Sequence, residues 1–176
     1  FLPKDRKIKT IKNIKRIADI MKLKVVIKLH PKEKIDFGKK FYSNIFGKDL
    51  YGKTWIFSSD NLLQIGKNCN FAISFFTSTC LDLLMLKITT IEMLDLTKIK
   101  EDDNEYSLRD HQNYPVFPYR YFKFCIGVNN FDELKDIANQ IKIEKEIFLP
   151  KLLNNYNKFI KPSTNIKELV SKIHSL

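Results

Sequence analysis

Over residues 5–21 the apolar positions Ile8, Ile11, Ile14, Ile17, Ile20 and Met21 recur mostly at every third residue, with Lys and Arg between them. That spacing predicts a helix with one apolar face. The period then changes: "LKVVIKL" (23–29), "TWIFSS" (54–59), "FAISFF" (71–76), "ITTIEML" (88–94) and "FKFCIGV" (122–128) read as strands. The third of these has almost no polar alternation, as expected of a strand buried on both faces of a parallel sheet. Between the strands, Phe37, Phe41, Tyr42, Ile45 and Phe46 fall at helical spacing and are closed by Gly47. Asp60 stands at an N-cap position before Leu62, Leu63 and Ile65, and a further helix follows "TSTC". Strands alternating with helices at short intervals imply right-handed βαβ units. The expected fold is therefore α/β, a Rossmann-like parallel sheet flanked by helices.

Segments 130–141, 144–159 and 164–176 read as closing helices, with Pro150 kinking or splitting the second. Residues 95–121 break the periodicity with charge, Pro115, Pro118 and several aromatics, the mark of a functional or disordered connection. The chain thus divides into a leading helix over 1–21, open to a role as interdomain linker, a Rossmann-like nucleotide-binding domain over 22–142, and C-terminal helices over 143–176 packed on the same domain.

Length and composition sharpen this. With 176 residues at 44% apolar content the chain can bury one substantial core. Its 31 basic and 20 acidic side chains give a net charge of +11, which attracts phosphates, nucleotides, nucleic acid or an anionic membrane. The lysines are spread along the sequence among many Ile and Asn, a blend that AT-rich codon usage also produces. A nucleic-acid module concentrates its charge and interleaves exposed aromatics, so no nucleic-acid partner is expected. No apolar run approaches the ~20 residues needed to cross a bilayer, and "FLPKDRKIK" lacks the apolar stretch of a signal peptide. The expected location is cytoplasmic, with a basic charge compatible with peripheral contact at the anionic inner face of the membrane. The chain begins with Phe rather than Met, so it is expected to be a piece of a longer protein. Cys69, Cys80 and Cys125 stand singly among apolar neighbours and read as buried thiols.

In an open parallel sheet, ligands sit beyond the carboxyl ends of the strands. The first loop selected by that rule is His30-Pro31-Lys32. Proline fixes its own φ and biases His30 toward an extended backbone, aiming the imidazole between Lys28 and Lys32 as an anion contact. A strand-terminal histidine bonded to a backbone carbonyl is the plainer alternative. The second loop, "FFTSTCLDLL", places the hydroxyls of Thr77, Ser78 and Thr79 between a strand and a helix, where phosphate is held by hydroxyls and free N–H groups; read plainly, one of them is a helix cap. Glu92, near the end of its strand, could take both ribose hydroxyls, as acidic residues do in dinucleotide folds, or simply face solvent. Asp95 is a weaker candidate of the same kind. Arg109, His111, Tyr114, Tyr119 and Arg120 could bracket a base or an acceptor. There is no GxGxxG, P-loop or GxSxG, and His30, His111 and His174 lie on unrelated segments that suggest no metal cluster.

The order "VVIKLHPKE" followed by "NCNFAISFFTSTCLDLLMLKITTIEML" resembles the carboxyl-terminal half of GT-B-type glycosyltransferases of bacterial surface polysaccharides. These include capsule Kdo- and sialyl-transferases and CDP-glycerol glycerophosphotransferases. Such proteins carry a His-Pro motif after one strand and a Ser/Thr-rich motif, followed by an acidic residue, after a later one. The counterparts here are His30-Pro31 and Thr77-Ser78-Thr79, with Asp82 as the acidic residue, and the tail "NNYNKFIKPSTNIKELVSKI" is similar to the closing helices of those chains. The resemblance covers residues 22–176; Thr77-Ser78-Thr79 departs from the commoner Ser-Ser. It implies half of a GT-B fold in which His30 acts catalytically and, with the hydroxyls of Thr77, Ser78 and Thr79, holds the donor phosphate; Pro31, Lys32 and Glu92, read from the loops and strand end above, complete the expected donor-nucleotide site. Negative charge would be stabilised as the nucleotide leaves. It also implies a CMP-, CDP- or UDP-linked donor, a glycan acceptor, a general base on an amino-terminal domain of the same protein, and neither metal nor other cofactor. A polyol-phosphate transferase using a CDP-linked donor, and a non-catalytic nucleotide- or nucleic-acid-binding module, are the alternatives.

Overall fold

The computed structural model describes residues 4–29, 35–75, 77–93, 108–109, 113 and 116–159. Helix α1 (Lys4–Met21) leads into strand β1 (Val25–Ile27), helix α2 (Ile35–Phe46) and strand β2 (Trp55–Phe57). Helix α3 (Leu62–Gly66), strand β3 (Ala72–Ser74), helix α4 (Thr79–Met85) and strand β4 (Thr90–Met93) follow. The described part ends with α5 (Pro118–Tyr121), β5 (Ile126–Val128), α6 (Phe131–Ile143) and α7 (Leu149–Phe159). All pairing is parallel: β1 with β2 in one ladder, and β3, β4 and β5 in another. The fold is α/β with two small parallel sheets flanked by helices, compatible with a Rossmann-like arrangement.

The helices sort onto two sides. Ile17 and Met21 of α1 pack with Leu134, Ala138 and Ile141 of α6 over Ile91, Met93 and Val128. Ile11 of α1 joins Tyr42 and Phe46 of α2 over Ile27 and Trp55, and Ile14 reaches both clusters. Across the sheet, α4 packs against α3 and α7, with Leu84 meeting Leu149 and Leu152. The two ladders are separate, and Phe75, just past β3, packs against the cluster around β1 and β2. In open α/β sheets ligands bind beyond the carboxyl ends of the strands.

Local chemistry explains the helix ends. Helices α1, α4 and α5 each stop in a left-handed lysine, Lys22, Lys87 and Lys123, at φ 56°, 58° and 57°. The next amide closes back on the last turn each time, as Leu23 N–H does to the Ala18 carbonyl at 2.9 Å. Glycine is the usual residue there; lysine costs about 1 kcal/mol of backbone strain but sets a cation at the negative end of the helix dipole.

Several expectations are refined. The leading helix packs into the core, with Ile11 and Ile17 each 1% exposed; Ile20 faces outward. The strand buried on both faces is β4, all four residues of which are buried, whereas Ala72 and Ile73 of β3 are half-exposed. Asn61, not Asp60, caps α3 by accepting from Leu63 N–H; Asp60 is engaged by the Ser58 hydroxyl. Pro150 neither kinks nor splits a running helix: it lies in the first turn of α7, where a missing N–H costs nothing. Cys69 is half-exposed, unlike the buried Cys80 and Cys125. The third closing helix, 164–176, lies outside the described residues. Among the described residues no helix is long and apolar enough to cross a membrane.

Candidate functional site

The two sides of the β3–β4–β5 ladder differ residue by residue. Ile73, Ile91, Met93, Ile126 and Val128 point toward α1 and α6. The alternate positions, facing α4, are Ala72 and Ser74 on β3, Thr90 and Glu92 on β4, and Gly127 on β5, with Cys125 just before it. These are small side chains around one carboxylate. In register, Ser74, Glu92 and Gly127 form a single row across the carboxyl-terminal half of the sheet.

Arg120 completes the row. It comes from α5, whose first helical residue is Pro118, and its side chain lies flat on Gly127. A Cβ built on Gly127 would stand 2.0 Å from the Arg120 Nε and 2.6 Å from its Cζ, so only glycine admits the guanidinium. Arg120 Nη2 donates to Asn129 Oδ1 at 2.8 Å, and Asn129 N–H donates to Glu133 Oε2 at 2.8 Å. The charge is thereby anchored to α6, whose own start is capped by Asn130.

Glu92 is 1% exposed and its Oε1 has no hydrogen-bond partner. Burial pushes its carboxyl up to about 7, the nearby Arg120 charge opposing the rise. The Ser74 Oγ and Thr90 Oγ1 are also buried and unpartnered. Beside them the Cys80 thiol hydrogen-bonds Cys125, which with burial and the Glu92 charge holds the Cys125 thiol far above its ordinary range. Three buried polar oxygens without partners are a store of acceptor capacity directly beneath the end of β3.

The hydroxyl turn sits at that end. Thr77 Oγ1 donates to Thr79 Oγ1 at 2.9 Å and accepts from Thr79 N–H at 3.3 Å, so Thr77 does the capping. Ser78, the N-cap residue by position, makes no side-chain capping bond and is exposed. Asp82 lies in the first turn of α4.

Thr77, Ser78, Thr79 and Glu92 therefore fall at one end of one sheet, the first three on its rim and Glu92 beneath it rather than facing solvent. His30, Pro31 and Lys32, which follow β1, lie outside the described residues, as do Asp95, His111 and Tyr114. Lys28 is committed elsewhere, donating to the Asp60 carbonyl at 2.8 Å. Arg109 donates to the Asn113 carbonyl. Of the residues grouped as bracketing a base, Arg120 instead turns inward to Glu92. Gly127, Ser74 and Asn129 were not singled out by sequence reasoning; the signal present was the alternation of small and large residues in "AIS" and "CIGV". Among the described residues no group of His, Cys, Asp or Glu could hold a metal ion.

A cavity of about 360 Å³ lies at the opposite end, between the last turns of α1 and the starts of β1 and β2, lined by Lys22, Lys24 and Lys53 with Asp19 and Thr54. Its lysines face the carbonyl end of α1, whose dipole disfavours an anion. In comparisons with protein families, with curated proteins and with solved structures, none matches this chain.

Proposed function

We propose that the chain is the donor-nucleotide-binding half of a GT-B-type glycosyltransferase acting in surface-polysaccharide synthesis. The observation that carries this reading is the exposed Ser78 hydroxyl, free of any capping bond, at the carboxyl end of β3. In this reading Ser78 and the turn around it meet a donor phosphate, and in the resembling proteins the segment after β1, here His30-Pro31-Lys32, meets the same phosphate. A ribose hydroxyl is a donor that would satisfy the unpartnered Glu92 Oε1 below the turn. Capsule and lipopolysaccharide sugars activated as CMP, CDP or UDP derivatives are the substrate class; acceptor and general base belong to the rest of the parent enzyme, and no metal takes part.

Calorimetric titration of the chain with CMP, CDP and UDP tests it. Saturable binding of one pyrimidine nucleotide is expected, weakened at least tenfold by Ser78→Ala or His30→Ala with little change in melting temperature. Binding of none of the three contradicts the reading. For Glu92, a 2′-deoxynucleotide should bind less tightly than the ribonucleotide to the native chain, and the two should bind alike to Glu92→Gln.

A further inference from the structure

Glu92 and Gly127 stand opposite each other in the parallel ladder of β4 and β5. Partners in a ladder lie about 4.8 Å apart and point to the same face. At Gly127 that face carries no side chain of its own. The Arg120 guanidinium takes the place instead, its Cζ 2.6 Å from where a Cβ would stand. Arg120 thus acts as the missing side chain of the neighbouring strand, set beside a carboxyl that is almost wholly buried.

The chain holds it there from both ends. After α5 the backbone doubles back at the left-handed Lys123, where the Phe124 N–H closes on the Tyr119 carbonyl at 2.9 Å, and this returns Gly127 beneath Arg120. Arg120 Nη2 is spent on Asn129 Oδ1, and the Asn129 N–H is tied in turn to Glu133. The guanidinium is therefore oriented by its own partners and acts on Glu92 through its charge. Among the described residues, the other polar groups on this side of Glu92 are the Ser74 and Thr90 hydroxyls and the Cys125 thiol, itself bonded to Cys80 of α4. From α7 come only Leu149 and Leu152, against Leu84. Arg120 is the one cation in that set. A buried carboxyl with no cation beside it keeps its proton well above neutrality; with Arg120 opposing burial, Glu92 stands at about 7.

We propose that Arg120 is a positioning residue for ribose specificity: seated in the gap at Gly127, it stabilises the carboxylate form of the buried Glu92, which then accepts the sugar hydroxyls of a ribonucleotide. This role presumes a nucleotide at the ends of β3 and β4, as proposed above. Hydroxyl donors bond a carboxylate more strongly than a neutral carboxyl, so binding a ribonucleotide favours loss of the Glu92 proton. Ribonucleotide affinity therefore rises with pH through about 7 and levels off above it. The 2′-deoxy counterpart, one donor short, gains less. The phosphates of the two nucleotides titrate alike, so the ratio of affinities isolates the sugar contact. Preference for ribose should be slight at pH 5.5 and about tenfold at pH 8.5, the worth of one hydrogen bond to a charged group.

The test has two arms. Without ligand, NMR follows the Glu92 carboxyl carbon from pH 4.5 to 9.5, its resonance assigned by its loss in Glu92→Gln. The midpoint is expected near 7 in the native chain, at least about one pH unit higher in Arg120→Met, and back toward the native value in Arg120→Lys, which keeps a cation. Asn129→Ala loosens the guanidinium without removing it, should raise the midpoint less, and keeps the question answerable if Arg120→Met fails to fold. A merely structural arginine would leave the midpoint in place. With ligand, CDP and 2′-deoxy-CDP, and UDP with its 2′-deoxy counterpart, are titrated calorimetrically at pH 5.5, 7 and 8.5. The ribose preference should grow with pH in the native chain and appear only at higher pH in Arg120→Met. A midpoint unmoved in Arg120→Met and Asn129→Ala, or a ribose preference independent of pH, overturns the inference. Failure of every nucleotide to bind overturns the donor-site reading instead, and the ligand-free midpoint still decides whether Arg120 governs Glu92.

Discussion

The two faces of the three-stranded ladder are built on opposite principles. Toward α1 and α6, Ile91, Met93 and Val128 make a close-packed apolar layer whose stability depends on volume. Toward α4, the same strands present Thr90 and the row of Ser74, Glu92 and Gly127, where a carboxylate is buried near the Arg120 charge. The first face holds the domain together. The second buries polar oxygens that carry no hydrogen bond, Ser74 Oγ, Thr90 Oγ1 and Glu92 Oε1, in place of apolar volume. The difference can be broken from either side.

Gly127→Ala probes the polar face. The new Cβ would stand inside the Arg120 side chain, and moving the guanidinium aside should cost about 1–3 kcal/mol as an overpacking effect, whereas an unhindered strand glycine gains about 0.5–1 kcal/mol from the same change. Urea denaturation reads it, and a loss below ~1 kcal/mol would show that Arg120 does not depend on that gap. On the apolar face Ile91→Ala should cost 2–5 kcal/mol as an order-of-magnitude cavity effect, and, unlike changes around Glu92, by the same amount at pH 5 and pH 8.

Next comes pH. The Glu92 carboxyl stands at about 7 in the fold against 4.5 when unperturbed. Between those values the folded chain holds a proton that the unfolded chain has lost. The Glu92 contribution to stability therefore falls as pH rises from about 4.5 to 7 and levels off above, by about 3 kcal/mol in all. Glu92→Gln removes that slope and is the more stable protein at pH 8. Melting curves of both across this range check it; identical slopes would mean that Glu92 is ionised throughout. The smallest effect separates two adjacent hydroxyls: Thr77→Ala should cost about 1 kcal/mol through the lost cap, and Ser78→Ala less than ~0.5 kcal/mol.

Much of the layout was legible in the sequence. The five strands fall within the segments that the hydrophobic pattern marks, and the parallel α/β class follows from their alternation with helices. What ran short were the ladders. Expected strands of six or seven residues pair over only three or four, and at the flanking Lys24 and Lys28 it is the side-chain ammonium that bonds, to the Gly52 and Asp60 carbonyls. Glu92 was singled out, but "TTIEM" has the period of a strand with one polar face in water. Only the packing of α4 and α7 reveals that face as interior. Arg120 and Glu92 could not be paired from sequence, since the link runs through Gly127, whose missing side chain makes the space, and through a connection with no periodicity. The thiols of Cys80 and Cys125 were legible as buried, but not as partners.

The central claim is that the carboxyl ends of β3 and β4 hold a nucleotide. Following backbone amide resonances of the labelled chain while CDP and UDP are added locates a ligand as well as detecting it. Saturable shifts centred on Thr77, Ser78 and Thr79 and extending to Glu92 and Gly127 are what the account predicts. Shifts confined to α1 and the starts of β1 and β2, or none at millimolar nucleotide, would contradict it.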